Sequence, residues 1–119
     1  MTITRKQFEL FKSECKKWEE RFKLDGWEII YYHKKYEPDN SIAQSNFTLS
    51  AKSVSVTLNK EVEDELGYNT AGIKETAKHE MIHVLLGVVS ELAYTRFTTK
   101  DELATAEEEL VNKLIKIIK

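Results

Sequence analysis

The chain has little of what fixes many small proteins. It carries one cysteine, one proline, four glycines and three histidines in 119 residues. A single Cys15 excludes an intramolecular disulfide; set in FELFKSECKKW, it reads as a small core residue of a reducing compartment. The longest apolar run, VLLGVV at 84–89, is much too short to cross a bilayer, so no membrane partner is expected. The opening MTITRKQFEL has no apolar stretch of the signal-peptide kind, which predicts a cytoplasmic location. Charge of one sign is also missing. The net charge is −2 and lysines are interleaved with glutamates, so there is no basic field for nucleic acid, only the weak KKY at 34–36. There is no repeat and no low-complexity segment, and the length is that of one domain, residues 1–119.

What is present divides into helix, strands, helix, helix. Thr4-Arg5-Lys6-Gln7 has the form of a capping box, and Phe8, Phe11, Cys15, Trp18 and Phe22 follow at three- and four-residue steps. Leu24-Asp25-Gly26 ends that helix. WEIIYYHKKY, 27–36, is aromatic and β-branched and predicts a strand, closed by the turn cluster Glu37-Pro38-Asp39-Asn40. Residues 42–49 offer a second strand. In SVSVTLN, 53–59, Val54, Val56 and Leu58 alternate with Ser53, Ser55 and Thr57, the pattern of a half-buried strand. Residues 61–72 predict a loop with room for one helical turn. A helix then runs from about Ala71 to Ala93 with Ile73, Ala77, Met81, Val84, Leu85, Val88 and Leu92 in register. Thr99 and Glu102 form a second capping box, opening a last helix with Leu103, Leu110, Val111, Leu114, Ile115 and Ile118. Segregated strands and helices predict an α+β fold with a small antiparallel or mixed sheet of about three strands.

Two of the three histidines stand four apart in AKHEMIHVLLG, with a glutamate after the first. On a helix, residues four apart share a face, so the imidazoles of His79 and His83 can converge on one ion, and nitrogen donors suit Zn²⁺. Glu80 lies about 100° around the helix, near enough to take a proton from water without being a ligand. No proline or glycine interrupts 73–86, so HEMIH sits on a helix, as this chemistry requires. Two imidazoles and a carboxylate beside Met81, Val84 and Leu85 also need something to offset their desolvation.

A catalytic zinc takes three protein ligands and keeps one open position. Leu86 and Val89 stand where a longer HxxGxxH motif would continue, so that class fails. Glu91 is about 12 Å up the helix from His83, too far to share the ion. In the last helix Glu102 serves the capping box, Asp101 suits the helix N-terminus, and Glu109 points away from the apolar stripe. That leaves Glu107, near the centre of the stripe, and Glu108, at its edge with Ala104, Val111 and Ile115; His33 is a further alternative.

The combination of HExxH on one helix with a glutamate on the next resembles the gluzincin metallopeptidases. In its compact layout the chain resembles the small metallopeptidase-like proteins of phages and prophages. The resemblance rests on HEMIH, with softer matches in LDGWEIIYYH, AKSVSVTLNK and EEELVNKLIKII. It implies a minimal zincin-like fold with Zn²⁺ on His79 and His83, Glu108 as third ligand and Glu80 as catalytic base. It also implies hydrolysis of a peptide or protein substrate, received as an added strand along a sheet edge. The 53–59 strand is the candidate edge, with Ser53, Ser55 and Thr57 as a polar cleft wall. Tyr68 and Tyr94 are candidates for stabilising the oxyanion. The alternative function is a non-catalytic, zinc-stabilised interaction protein.

Overall fold

A computed structural model describes residues 2–35, 42–61, 69–94 and 98–117, apart from the side chains of Leu49, Val88 and Tyr94. The elements run α1 (Arg5–Arg21), β1 (Glu28–His33), β2 (Ala43–Thr48), a 3-10 turn (Leu49–Ala51), β3 (Ser53–Leu58), α2 (Thr70–Tyr94) and α3 (Lys100–Ile117). The expected α+β class is observed, and each expected strand and long helix is present. The turn at 37–40 lies outside the described residues, as does most of the expected loop at 61–72.

Local chemistry sets the helix ends. Thr4 Oγ1 accepts from Gln7 N while Gln7 Oε1 accepts from Thr4 N, the reciprocal pair of a capping box. Thr99 and Glu102 do the same for α3. α2 has a cap not expected from the sequence. Asn69 Oδ1 accepts from Gly72 N, and the Asn69 carbonyl takes the first helical bond from Ile73 N, so the helix starts at Thr70.

The sheet is mixed, with order β1-β3-β2. β1 runs parallel to β3, with Glu28 beside Ser53 and His33 beside Leu58. β2 runs antiparallel to β3, with Ala43 beside Leu58 and Thr48 beside Ser53. The 53–59 strand is therefore central, which corrects its assignment as the edge beside the cleft. Its polar face is corrected with it: Thr57 is 2% exposed, and Ser53 and Ser55 are half-buried. With a neighbour on each side, even the small polar residues of β3 lose contact with water.

One face of the sheet meets the helices. Val54, Val56 and Leu58 pack with Phe11 and Cys15 of α1 and with Ile73, Ala77, Met81 and Val84 of α2. On the other face Ile30 and Tyr32 stay exposed. The chain start joins this layer through Ile3, which is buried and donates its N–H to the Lys60 carbonyl.

α3 packs inward by part of the expected stripe only. Ala106 is buried and Leu110, Leu114 and Ile117 join the core, whereas Val111 is exposed and Ile115 is 67% exposed. In this orientation Lys113 donates Nζ to the Lys23 carbonyl at 2.9 Å, where Lys23 holds a left-handed φ of 56°. No described helix is long and apolar enough to cross a membrane.

Candidate metal centre

The N-terminal half of α2 carries its core residues on one side and its histidines on the other. Ile73, Ala77, Met81 and Val84 are buried, while His79 and His83 are exposed. The imidazoles meet edge to face, with ring centroids 4.8 Å apart and planes at 74°. Their Nε2 atoms lie 3.2 Å apart. Two nitrogens bound to one tetrahedral zinc at 2.0–2.1 Å stand about 3.3 Å apart. The pair therefore fits as two ligands of such an ion.

Glu80 occupies the adjoining strip of helix and is 5% exposed. Its Oε1 accepts a hydrogen bond from Ser45 Oγ at 2.8 Å, and its Oε2 lies 4.0 Å from His79 Nε2. One carboxylate oxygen is thus tied to β2 while the other faces the imidazole side. A cleft of about 300 Å³ opens there, lined by Ala43, Gln44, Ser45, Phe47, His79, Glu80 and His83. A neighbouring hollow of about 320 Å³ shares Ala43, His79 and Glu80 and extends along the helix to Glu75 and Thr76. Together they form a groove between α2 and β2.

The groove is narrow because Gly87 has no side chain. A methyl group there would overlap the ring of Phe47, which also meets Trp27 edge to face at 5.9 Å. Behind Glu80 the interior is polar but closed. Cys15 is fully buried, and burial, then the charges of Glu80, Glu19 and Glu14, push its thiol well above the ordinary range. It is a protonated core thiol, as expected. The Tyr31 hydroxyl donates to Glu19 Oε2 at 3.0 Å, and burial first, then Cys15 and Glu19, raise its pKa.

The structure brings together His79, Glu80 and His83. It does not bring the expected third ligand to them. Glu107 and Glu108 are exposed, and Glu108 lies nearly opposite Ala106 and Leu110, the residues that face α2. Among the described residues, no three His, Cys, Asp or Glu side chains are gathered for a metal. Glu109, expected to point away from the packed face, lines an apolar cavity of about 370 Å³ between α2, α3 and residues 24–27. That cavity is more closed than the groove, but its walls are mostly aliphatic. The converging donors make the groove the candidate site.

His33 lies on the far edge strand, about 10 Å across the sheet from β2. It stacks on Phe8 at 4.9 Å and 7°, and its buried Nε2 has no hydrogen-bond partner. Burial, then the Lys60 charge, lower its pKa, against a raising contribution from a backbone hydrogen bond to Ile3. Tyr68 and the side chain of Tyr94 lie outside the described residues.

Sequence reasoning missed Ser45 and Gly87. AQSNFT has no motif to single out a serine, and Gly87 reads as a mere interruption of an apolar run. No protein-family model, no curated protein and no solved structure matches this chain.

Proposed function

We propose that this protein is a zinc-dependent hydrolase of peptide bonds. One observation carries the reading: two imidazole nitrogens converge at ligand spacing beside a buried carboxylate, inside a groove bordered by a sheet edge. Zinc bound at His79 and His83 supplies Lewis acidity and makes water a stronger acid. Glu80 Oε2 takes a proton from a water in the groove as that water's oxygen bonds to the scissile carbonyl carbon. Glu80 then gives the proton to the amine as the C–N bond breaks. β2 has β3 on one side and no strand on the other among the described residues, so its free edge supports binding an extended peptide along the groove.

Metal content of untagged protein tests the reading. One zinc per chain in the wild type, lost in His79→Ala and His83→Ala, is the expected result; equal content in all three overturns it. Glu108→Gln in the same series decides the third ligand. Loss of zinc assigns Glu108, whereas full retention removes it from the site.

A second reading, a zinc-stabilised interaction protein without turnover, is favoured by the absence of a third gathered ligand among the described residues. It expects bound zinc and a large fall in Tm on chelation, with no cleavage of any peptide.

A further inference from the structure

We propose that Ser45 is a positioning residue for Glu80: its hydroxyl holds Oε1, so that Oε2 alone is presented to the groove beside His79 and His83. The inference rests on the hydrolase reading and assigns the proton transfer to one oxygen of the carboxylate.

A glutamate carboxylate has two equivalent oxygens and turns broadly about its last torsion. A base that must meet one water works best when that freedom is removed in advance. Glu80 is enclosed on its inner side by the core, and the hydrogen bond from Ser45 occupies one oxygen. The other is left 4.0 Å from His79 Nε2, on the side where the imidazoles converge.

The surrounding structure is built to let so short a side chain reach the helix. Ser45 lies in mid-strand, opposite Val56 of β3, so the sheet fixes its backbone. Glu80 and Gly87 are seven residues apart on α2, two turns along nearly the same line. Ser45 and Phe47 are two apart on β2 and point to the same face. The two pairs meet, Ser45 on Glu80 and Phe47 over Gly87. The bare backbone at Gly87 lets β2 lie close to α2, and one turn pair further down that closeness places Oγ at 2.8 Å from Oε1. Ala43, the next inward residue of β2, is small and leaves the groove open over His79.

A serine that only satisfied a buried carboxylate would matter for folding and not for turnover. The test therefore combines full-length zinc-loaded wild type, Ser45→Ala, Ser45→Thr and Glu80→Gln in peptide-cleavage kinetics with zinc content of each. Ser45→Ala is expected to keep its zinc and a KM within about twofold while kcat falls about tenfold or more. Ser45→Thr, which keeps the hydroxyl on a β-branched residue suited to a strand, is expected to restore most of kcat. In metal-free protein, denaturant unfolding of Ser45→Ala, Glu80→Gln and the double variant should be non-additive, because the pair shares one bond.

Wild-type kcat in Ser45→Ala, in a protein whose wild type cleaves and whose Glu80→Gln does not, overturns the positioning role and leaves the hydrolase reading standing. Loss of zinc together with kcat in Ser45→Ala also overturns it, since the serine would then serve the site's structure. Additive unfolding energies remove the contact itself. A zinc-loaded wild type that cleaves no peptide fails at the hydrolase reading, and the inference falls with it.

Discussion

The same imidazole group sits in two settings in this molecule. On β1, His33 lies flat against Phe8 with its Nε2 buried and unpartnered, close enough to Lys60 to disfavour a second positive charge. On α2, His79 and His83 stand in the open with their Nε2 atoms turned toward each other. The difference is one of spacing and support. A lone histidine on a strand has its ring fixed by stacking and its nitrogens consumed or closed off. Two histidines one helical turn apart are brought together by backbone geometry, and their Nε2 atoms, 3.2 Å apart, have only each other as hydrogen-bond partner among the described residues, at a spacing a shared ion could also use. Histidine becomes a ligand candidate where a second donor and a buried base stand beside it.

Exchanging residues between the two settings gives the largest expected effects. Glu80→Gln should lower peptide cleavage about 10²- to 10⁴-fold, the usual worth of a positioned acid–base group, with zinc content and fold unchanged. His33→Phe should leave cleavage within about twofold; a loss comparable to that of Glu80→Gln would make His33 part of the site and dissolve the contrast. Both are read in one steady-state assay.

Chelation separates the two settings thermodynamically. A ligand that binds only the native state stabilises it by about 2.7 kcal/mol at a hundred times its Kd. Wild type and His33→Phe should show the same fall in Tm when zinc is removed, and His83→Ala should show almost none. Differential scanning fluorimetry with and without chelator suffices, and an unchanged wild-type Tm would deny that the pair holds a stabilising ion.

The groove wall gives a smaller effect. Gly87→Ala places a methyl group against the Phe47 ring, and overpacking of this kind costs about 1–3 kcal/mol. Phe47→Leu in the same chain should recover part of that loss, because the smaller side chain can yield. Additive costs in denaturant unfolding would mean that the two residues do not meet.

The smallest effect belongs to His33. Folding lowers its pKa from the ordinary 6.5, so the unfolded chain binds this proton first as pH falls. Stability from the neutral ring is complete above about 6.5, is lost as pH drops through that value toward the lowered folded value, and then levels off. The decline in Tm between about pH 7.5 and 5.5 should be shallower in His33→Phe than in the wild type. Equal slopes would show that His33 does not contribute.

Features governed by near neighbours in the chain were legible in the sequence. The capping boxes at Thr4 and Thr99, the strand of alternating valines, and the placing of HEMIH on a helix all depend on spacings of two to four residues. Features set by the way elements pack were not. α3 carries apolar residues on two sides, Leu103, Leu110 and Leu114 on one and Val111 and Ile115 on the other; the expected stripe merged them. Which side turns inward depends on how its residues pack against the rest of the core, and the choice carries Glu108 outward. The mistaken edge strand has a similar cause. Alternation in SVSVTLN shows that one face is buried, but whether a strand lies in the middle of a sheet is decided by the order in which strands pair. Ser45 became visible only with β2 laid beside α2.

The strand order β1-β3-β2 also has a consequence for how the chain acquires its shape. β1 and β2 follow one another in sequence yet never pair; each waits for β3. Among the described residues no strand pair can be complete until about residue 58 has been made, and both registers are then set by the same six residues, Ser53–Leu58. The parallel half is the slower kind of closure, since the intervening chain must fold back before any contact rewards it. The groove needs both the pairing of β2 with β3 and α2, which follows at 70–94, so its β2 wall is set in the sheet before the helix that faces it has been made.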